Sequence, residues 1–397
     1  MGDSPPPAGS TVEEQRSLGL VPQEIVHHSR LRQQLIAFQA KLCRVSSRQE
    51  AQKLATDTGR ALWNEAVAQA QERAPQEPGL GADDDRALYW TRLQMITKMR
   101  QWKPLFSLAT QQRSLLIHRL ETASRGMDSL AFSADDHVKR ILVTGFDPFQ
   151  LDDDIRRSNP SGAAALALDG ITIKTASGPA RIEAGILPVR WDDFSQGIAE
   201  HSMLPYLRPG PRQVQMFATI SQGDIGHFDI VRYNGAWRGG FPDNNNVSRT
   251  GTIPIPVGAA STLPQPQWTS TSLPYREIAA NRTGPFPVRD FTDVVEIPAG
   301  GTSEVDRPNG PTAGSTARAG GAGDYLSNEI AYRATALRDR LHIKMPGGHI
   351  HTPVLEFGKA NSDPAKGTVT DLEFVRNRTA IAAQVRAIIS IAADTLR

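Results

Sequence analysis

The run Arg140-Ile141-Leu142-Val143-Thr144-Gly145-Phe146 constrains this chain more than any other segment. It is short, almost wholly apolar and ends in Thr-Gly, the pattern of a buried parallel strand that feeds a loop. Similar strand signals recur at Ile182–Val189, Val214–Ile220 and Ile350–Val354. Helical patterns lie between and after them, at Ala163–Leu168, Phe194–Met203, Tyr325–Arg340 and Arg376–Arg397. Such alternation predicts an α/β sandwich. In sheets of this kind, sites form beyond the carboxyl ends of strands. Gly145 and Gly223 mark two of those ends.

The first third of the chain has a different texture. Leu31, Leu35, Phe38 and Leu42 repeat at helical spacing. Ser47 and Glu50 have the spacing of a capping box for a helix over 48–73. A break follows at Ala74-Pro75-Gln76-Glu77-Pro78-Gly79. Asp83, Asp84 and Asp85 favour a helix N-terminus, and that helix carries Leu88, Tyr89, Met95 and Met99. Pro104 is expected to open another helix that ends near Gly126. Short joints between such helices suggest an antiparallel bundle. The reading is therefore a disordered polar N-terminus at 1–19, a helical region at 20–138 and a catalytic-type domain at 139–397. The end of the helical region, 126–138, reads as a polar linker. Residues 244–320 are rich in Pro, Gly, Thr and Ser, and are either disordered or loops folded over a site. Weak strand signals at Thr252–Ile255 and Val294–Ile297 favour the loops.

Composition narrows the function classes. Lys and Arg number 44 against 42 Asp and Glu, a balance that gives no reason to expect nucleic acid as a partner. There is no run of about 18 apolar residues, so no membrane span is expected. The polar N-terminus lacks the pattern of a signal peptide, which points to the cytoplasm; a leader already removed would leave the same sequence. The single cysteine, Cys43, excludes an internal disulfide and a cysteine zinc cluster, and is expected to be buried and inert. No catalytic constellation occurs in the helical region, whose expected role is packing, self-association or binding a protein partner.

The residues that can carry chemistry lie after 139. His349 and His351 share one face of a strand. They form a His-x-His pair that could bind zinc, but a metal site needs further ligands that are not evident, so none is expected. Ser327 follows Gly-rich residues at the start of a helix, where open backbone N–H groups stabilise negative charge. Serines at that position are also common helix caps.

The order of segments resembles the pyroglutamyl peptidase I (pyrrolidone-carboxyl peptidase) family. Val143 to Phe149 followed by Asn159-Pro160-Ser161 is similar to that family's VTGFxPF and NPS. Ile186 to Val189, Gln222-Gly223, Asp229 to Asn234 and Pro242-Asp243-Asn244 resemble its next segments in register. Ser272-Leu273-Pro274, Ala322 to Asn328 and Gly348 to Pro353 continue the series. Each motif is short, and their shared order makes the resemblance specific. It covers about 140–397 and implies a three-layer sandwich with a parallel-rich central sheet. It also implies a cofactor-independent peptidase that removes an N-terminal pyroglutamyl or related cyclic acyl group from a small peptide or acyl-amide.

By the same resemblance, the family's glutamate, cysteine and histidine fall on Asp229, Ser327 and His351. The chain thus carries Asp-Ser-His where the family has Glu-Cys-His. Serine attacks a carbonyl when a histidine takes its proton, and aspartate can orient that histidine. Phe146, Phe149, Gln222 and Leu326 fall at the acyl pocket, and Arg238 is the nearest match to an arginine that holds the substrate carbonyl. Gln150-Leu151 stands where the family has Gly-Gly. Two other readings stay open: a silent pseudoenzyme or interaction protein on the same fold, and a hydrolase of a different small amide, ester or lactam.

Overall fold

The computed structural model describes residues 9–71, 79–132, 135, 137–256 and 264–396. Helices come first: α1 (Val12–Arg16), α2 (Leu20–His27), α3 (Leu31–Leu42), α4 (Arg48–Ala70), α5 (Asp85–Gln101) and α6 (Thr110–Ala123). Ser47 caps α4 by accepting from the Glu50 N–H at 3.2 Å, as its spacing suggested. The Glu50 carboxylate reaches back to the N–H of Ser46 (2.8 Å). The break expected at 74–79 falls mostly outside the described residues. Trp90, Met95 and Met99 are core residues.

Four expectations about this region need correction. The N-terminus is folded from α1 onward, because Thr11 caps that helix and Arg16 pairs with Asp152 at 2.5 Å; residues 1–8 lie outside the described residues. Pro104 does not open a helix. Leu105 beside it is fully exposed, so no apolar face draws that turn into helix, and α6 starts at Thr110. Cys43 is exposed. The segment after α6 is no free linker, since Met127, Leu130 and Phe132 pack on the sheet domain's core.

The sheet domain begins with β1 (Lys139–Phe146), α7 (Pro160–Leu168), β2 (Thr172–Thr175) and β3 (Gly178–Leu187). There follow α8 (Trp191–Ser195), α9 (Ile198–Leu207), β4 (Met216–Gln222) and β5 (Phe228–Val231). Gly197, at φ 88°, separates α8 from α9 within what reads as one helix. The segment 244–320 forms loops with short strands where it is described, as the second alternative held. Across 233–319 run β6 (Tyr233–Gly235), β7 (Trp237–Gly239), β8 (Thr250–Thr252), β9 (Trp268–Ser270), α10 (Tyr275–Ala280), β10 (Val288–Phe291), β11 (Val294–Ile297), β12 (Val305–Arg307) and β13 (Thr316–Ala319). The chain closes with α11 (Leu326–Arg340), β14 (Gly347–Thr352) and α12 (Leu372–Asp394).

The central sheet has the order β10-β5-β14-β4-β1-β3-β2. Its inner pairs β14/β4, β4/β1 and β1/β3 are parallel, as is the edge pair β10/β5, while β5/β14 and β2/β3 are antiparallel. Alternate residues of β1 enter different cores, as a two-residue side-chain period requires. Ile141 and Val143 face a core shared with α7 and α12; Leu142 and Phe146 face one shared with α9 and α11. The domain is therefore a three-layer α/β sandwich with a parallel-rich sheet. Gly145 permits its tight fit, since a Cβ there would lie 2.2 Å from the Ser161 carbonyl oxygen on α7.

The helical region is not a separate bundle. One continuous apolar cluster runs from Ile25 and Phe38 through Trp63 and Trp90 to Ile141, Ile182 and Ile388. Buried ion pairs cross the same boundary. Arg92 and Arg125 grip Asp147 at 2.6 and 2.5 Å. Arg190 joins Glu13 (3.1 Å) and Glu121 (2.9 Å). Arg378 of α12 reaches Asp83 (3.0 Å) and Asp84 (3.1 Å).

Candidate active site

Ser327 lies in the first turn of α11. Tyr325 precedes that helix without a side-chain cap, so the first backbone N–H groups of α11 have no capping acceptor. Below the turn, the Asn328 side chain bonds both the N–H (2.9 Å) and the carbonyl (2.8 Å) of Gly235. Glu329 is fully buried between Arg238 (2.5 and 2.6 Å) and Arg333 (2.8 Å). These bonds lock the start of α11, and Ser327 with it, onto β6 and β7.

His351 and Asp229 are direct cross-strand partners on β14 and β5. Both are buried, at 9% and 1% exposure. Gly223 at the end of β4 makes room for the imidazole, since a Cβ there would lie 2.6 Å from that of His351. Burial depresses the His351 imidazole to about 4 against the pull of Asp229 and Asp224, so the ring is neutral at pH 7. Its Nε2 is buried without a hydrogen-bond partner. No hydrogen bond links Ser327 to His351, or His351 to Asp229. Asp229 is held instead from its other side, by Arg289 of β10 at 2.7 and 3.1 Å.

Ser327, His351 and Asp229 nevertheless line one open cleft of about 720 Å³. Gln222, Phe149 and Tyr325 line it too, with Phe149 stacked on Tyr325 at 6.3 Å. A second hollow lies behind Ser327, walled by Phe146, Phe149, Val189, Gln222 and Leu326. It is the pocket expected for a cyclic acyl group, but its volume is about 10 Å³. That is room for about one water molecule. Gln150, at φ 57°, turns the loop beside it and bonds Arg157.

Arg238 needs correcting. It is buried under Trp191 and saturated by Glu329 and Ser195, and it lines neither hollow. It acts on the site only by fixing α11. His349 is likewise closed as a ligand, because Thr219 and Ser221 hydroxyls take both ring nitrogens at 2.8 Å. The His-x-His pair therefore offers only His351. Asp224, His227 and Asp229 do bring ligand-type atoms within 4.8 Å of one another, but Arg289 contacts two of the three. Sequence reasoning missed Arg289, Asp224, Phe241 and Tyr325. Asp224 follows a strand end, which was a usable signal; Arg289 had none, since only sheet pairing brings β10 to β5.

Two family models match the chain. Residues 3–121 match the family described as PA0049 N-terminal domain, and 140–262 with 294–356 match PA0049, C-terminal domain. The uncharacterized protein PA0049 of Pseudomonas aeruginosa is 34% identical over 457 aligned residues, covering 89% of this chain and 81% of that protein. A mutant pyrrolidone carboxyl peptidase from Pyrococcus furiosus is 21% identical, over 65% of this chain and 100% of its own, with a TM-score of 0.43. Pyroglutamyl peptidase I from Bacillus amyloliquefaciens is 19% identical, over 63% and 98%, with a TM-score of 0.37.

Proposed function

The chain belongs to the PA0049 family, and from that premise we propose that it is a cofactor-independent hydrolase of an acyl-amide bond that uses Ser327, His351 and Asp229. One observation carries the reading: a helix-start serine lines the same cleft as His351, whose Nε2 is buried without a hydrogen-bond partner. Ser327 Oγ attacks the acyl carbon as neutral His351 takes its proton. The first N–H groups of α11 hold the oxyanion. The proton then passes from His351 to the leaving amine; His351 next takes a proton from a water that attacks the acyl-serine ester and returns it to Ser327 Oγ as the free acid leaves. Asp229 stabilises the imidazolium once the ring turns toward it.

The motif resemblance makes a pyroglutamyl or related cyclic acyl group the first substrate to test. The 10 Å³ hollow favours a second reading, in which a different small amide or ester binds in the open cleft. The hold of Arg289 on Asp229 favours the third, a silent pseudoenzyme.

The test is release of a chromogenic amine from a pyroglutamyl amide by the wild type, Ser327→Ala and Ser327→Cys. Release abolished by alanine supports the serine peptidase. Release by cysteine alone means an intact pocket silenced by serine. If none of the three releases the amine, the pyroglutamyl assignment fails and the same comparison moves to other acyl amides and esters.

A further inference from the structure

The cleft beside Ser327 is unevenly charged. Asp224, Asp293, Asp306 and Asp324 line it, and none is in a salt bridge among the described residues. The one arginine in its wall, Arg307, is already bound to the buried Glu296 at 2.8 Å. Phe241, Phe291 and Tyr325 supply aromatic surface to the same wall. Ring faces attract cations, and one is engaged this way already: the Arg289 guanidinium sits 5.2 Å from the Phe291 ring. His351, nine-tenths buried and with an unpartnered Nε2, lines the same space.

The two hollows meet at Ser327, Phe149, Gln222 and Tyr325. An acyl group directed toward the small apolar hollow leaves the other side of the scissile bond in the carboxylate-lined cleft. Resting on the hydrolase reading above, we propose that the leaving group carries a positive charge, a protonated amine or a guanidinium held by carboxylates and ring faces. Carboxylates without a salt bridge beside an aromatic wall repel an anionic substrate and favour a cationic one over a neutral one of the same shape.

The experiment compares pyroglutamyl-lysine amide, pyroglutamyl-norleucine amide and pyroglutamyl-glutamate amide. Lysine is expected to exceed norleucine in kcat/KM by about tenfold, and glutamate to fall below both, with the preference shrinking as salt rises. Asp293→Asn with Asp306→Asn should lower the ratio of lysine to norleucine kcat/KM, and an unchanged ratio overturns the charge proposal. Equal rates for lysine and norleucine, with both abolished by Ser327→Ala, overturn the charge proposal and leave the hydrolase reading standing. If no substrate turns over, NMR titration of the Ser327→Ala protein with lysine amide and norleucine amide decides instead. Selective lysine amide binding that weakens in the double Asp variant supports the cation site without catalysis. No selectivity overturns it.

Discussion

Two charged regions of this protein are built in opposite ways. At the boundary between the helical region and the sheet domain, Asp83, Asp84, Asp147, Glu13 and Glu121 each meet an arginine in the interior. In the cleft beside Ser327, four aspartates meet none. A buried carboxylate without a partner is costly, so the boundary charges must be matched for the chain to fold. The cleft charges are partly hydrated and can stay unmatched until a ligand arrives. The difference teaches that the boundary carboxylates are matched within the fold, while these four cleft aspartates are left for solvent or, on the proposal above, for a cationic ligand.

The strongest way to break that contrast is Arg378→Met. It strands Asp83 inside the protein, leaves Asp84 with Arg86 alone, and is expected to cost about 3–5 kcal/mol in urea unfolding. Arg238→Met should act between the two regions. It frees buried Glu329 beneath the nucleophile, so both stability and kcat should fall, whereas a direct substrate contact would lower activity at unchanged stability. Asp293→Asn and Asp306→Asn should each shift stability by less than about 0.5 kcal/mol.

Acid should separate the two regions in sequence. Burial lowers the His351 pKa from 6.5 to about 4. Its neutral form therefore contributes stability above pH 6.5, and that contribution is lost as pH falls toward 4. Glu121 is held at about 2, because Arg190, Arg125 and Arg92 outweigh its burial. Its contribution is present above 4.5 and is lost as pH falls toward 2. Unfolding measured from pH 8 to 2 should show the His351 loss first, removed by His351→Gln. The later loss should be removed by Glu121→Gln. Coincident losses in both variants would contradict the assignment. In the active protein, the acid limb of kcat/KM should have its midpoint near 4, that of the free base.

Much of the fold is legible along the chain. The β1 run, the Ser47–Glu50 cap, the strand that ends at Gln222-Gly223 and the final helix are local patterns, and local hydrogen bonding and side-chain period decide them. The site was legible in part. Motif order singled out Ser327, His351, Asp229, Phe146, Phe149, Gln222 and Leu326, and all of them line one of two joined hollows. Arg238 was misplaced because its partner, Glu329, lies 91 residues away. The cleft aspartates were invisible because they come from separate loops that only folding brings together.

The sequence by itself determined the alternation of strand and helix, the buried faces and which residue types stand at the proposed nucleophile and base positions. Hydrophobic period and backbone geometry act over a few residues, so they are written locally. The tertiary structure decided three things: that the helical region shares a core with the sheet domain, that Arg289 and not His351 holds Asp229, and that the small hollow behind Ser327 is nearly closed beside an open acidic cleft. Each depends on distances between segments far apart in the chain, and those are set by the packing of the whole.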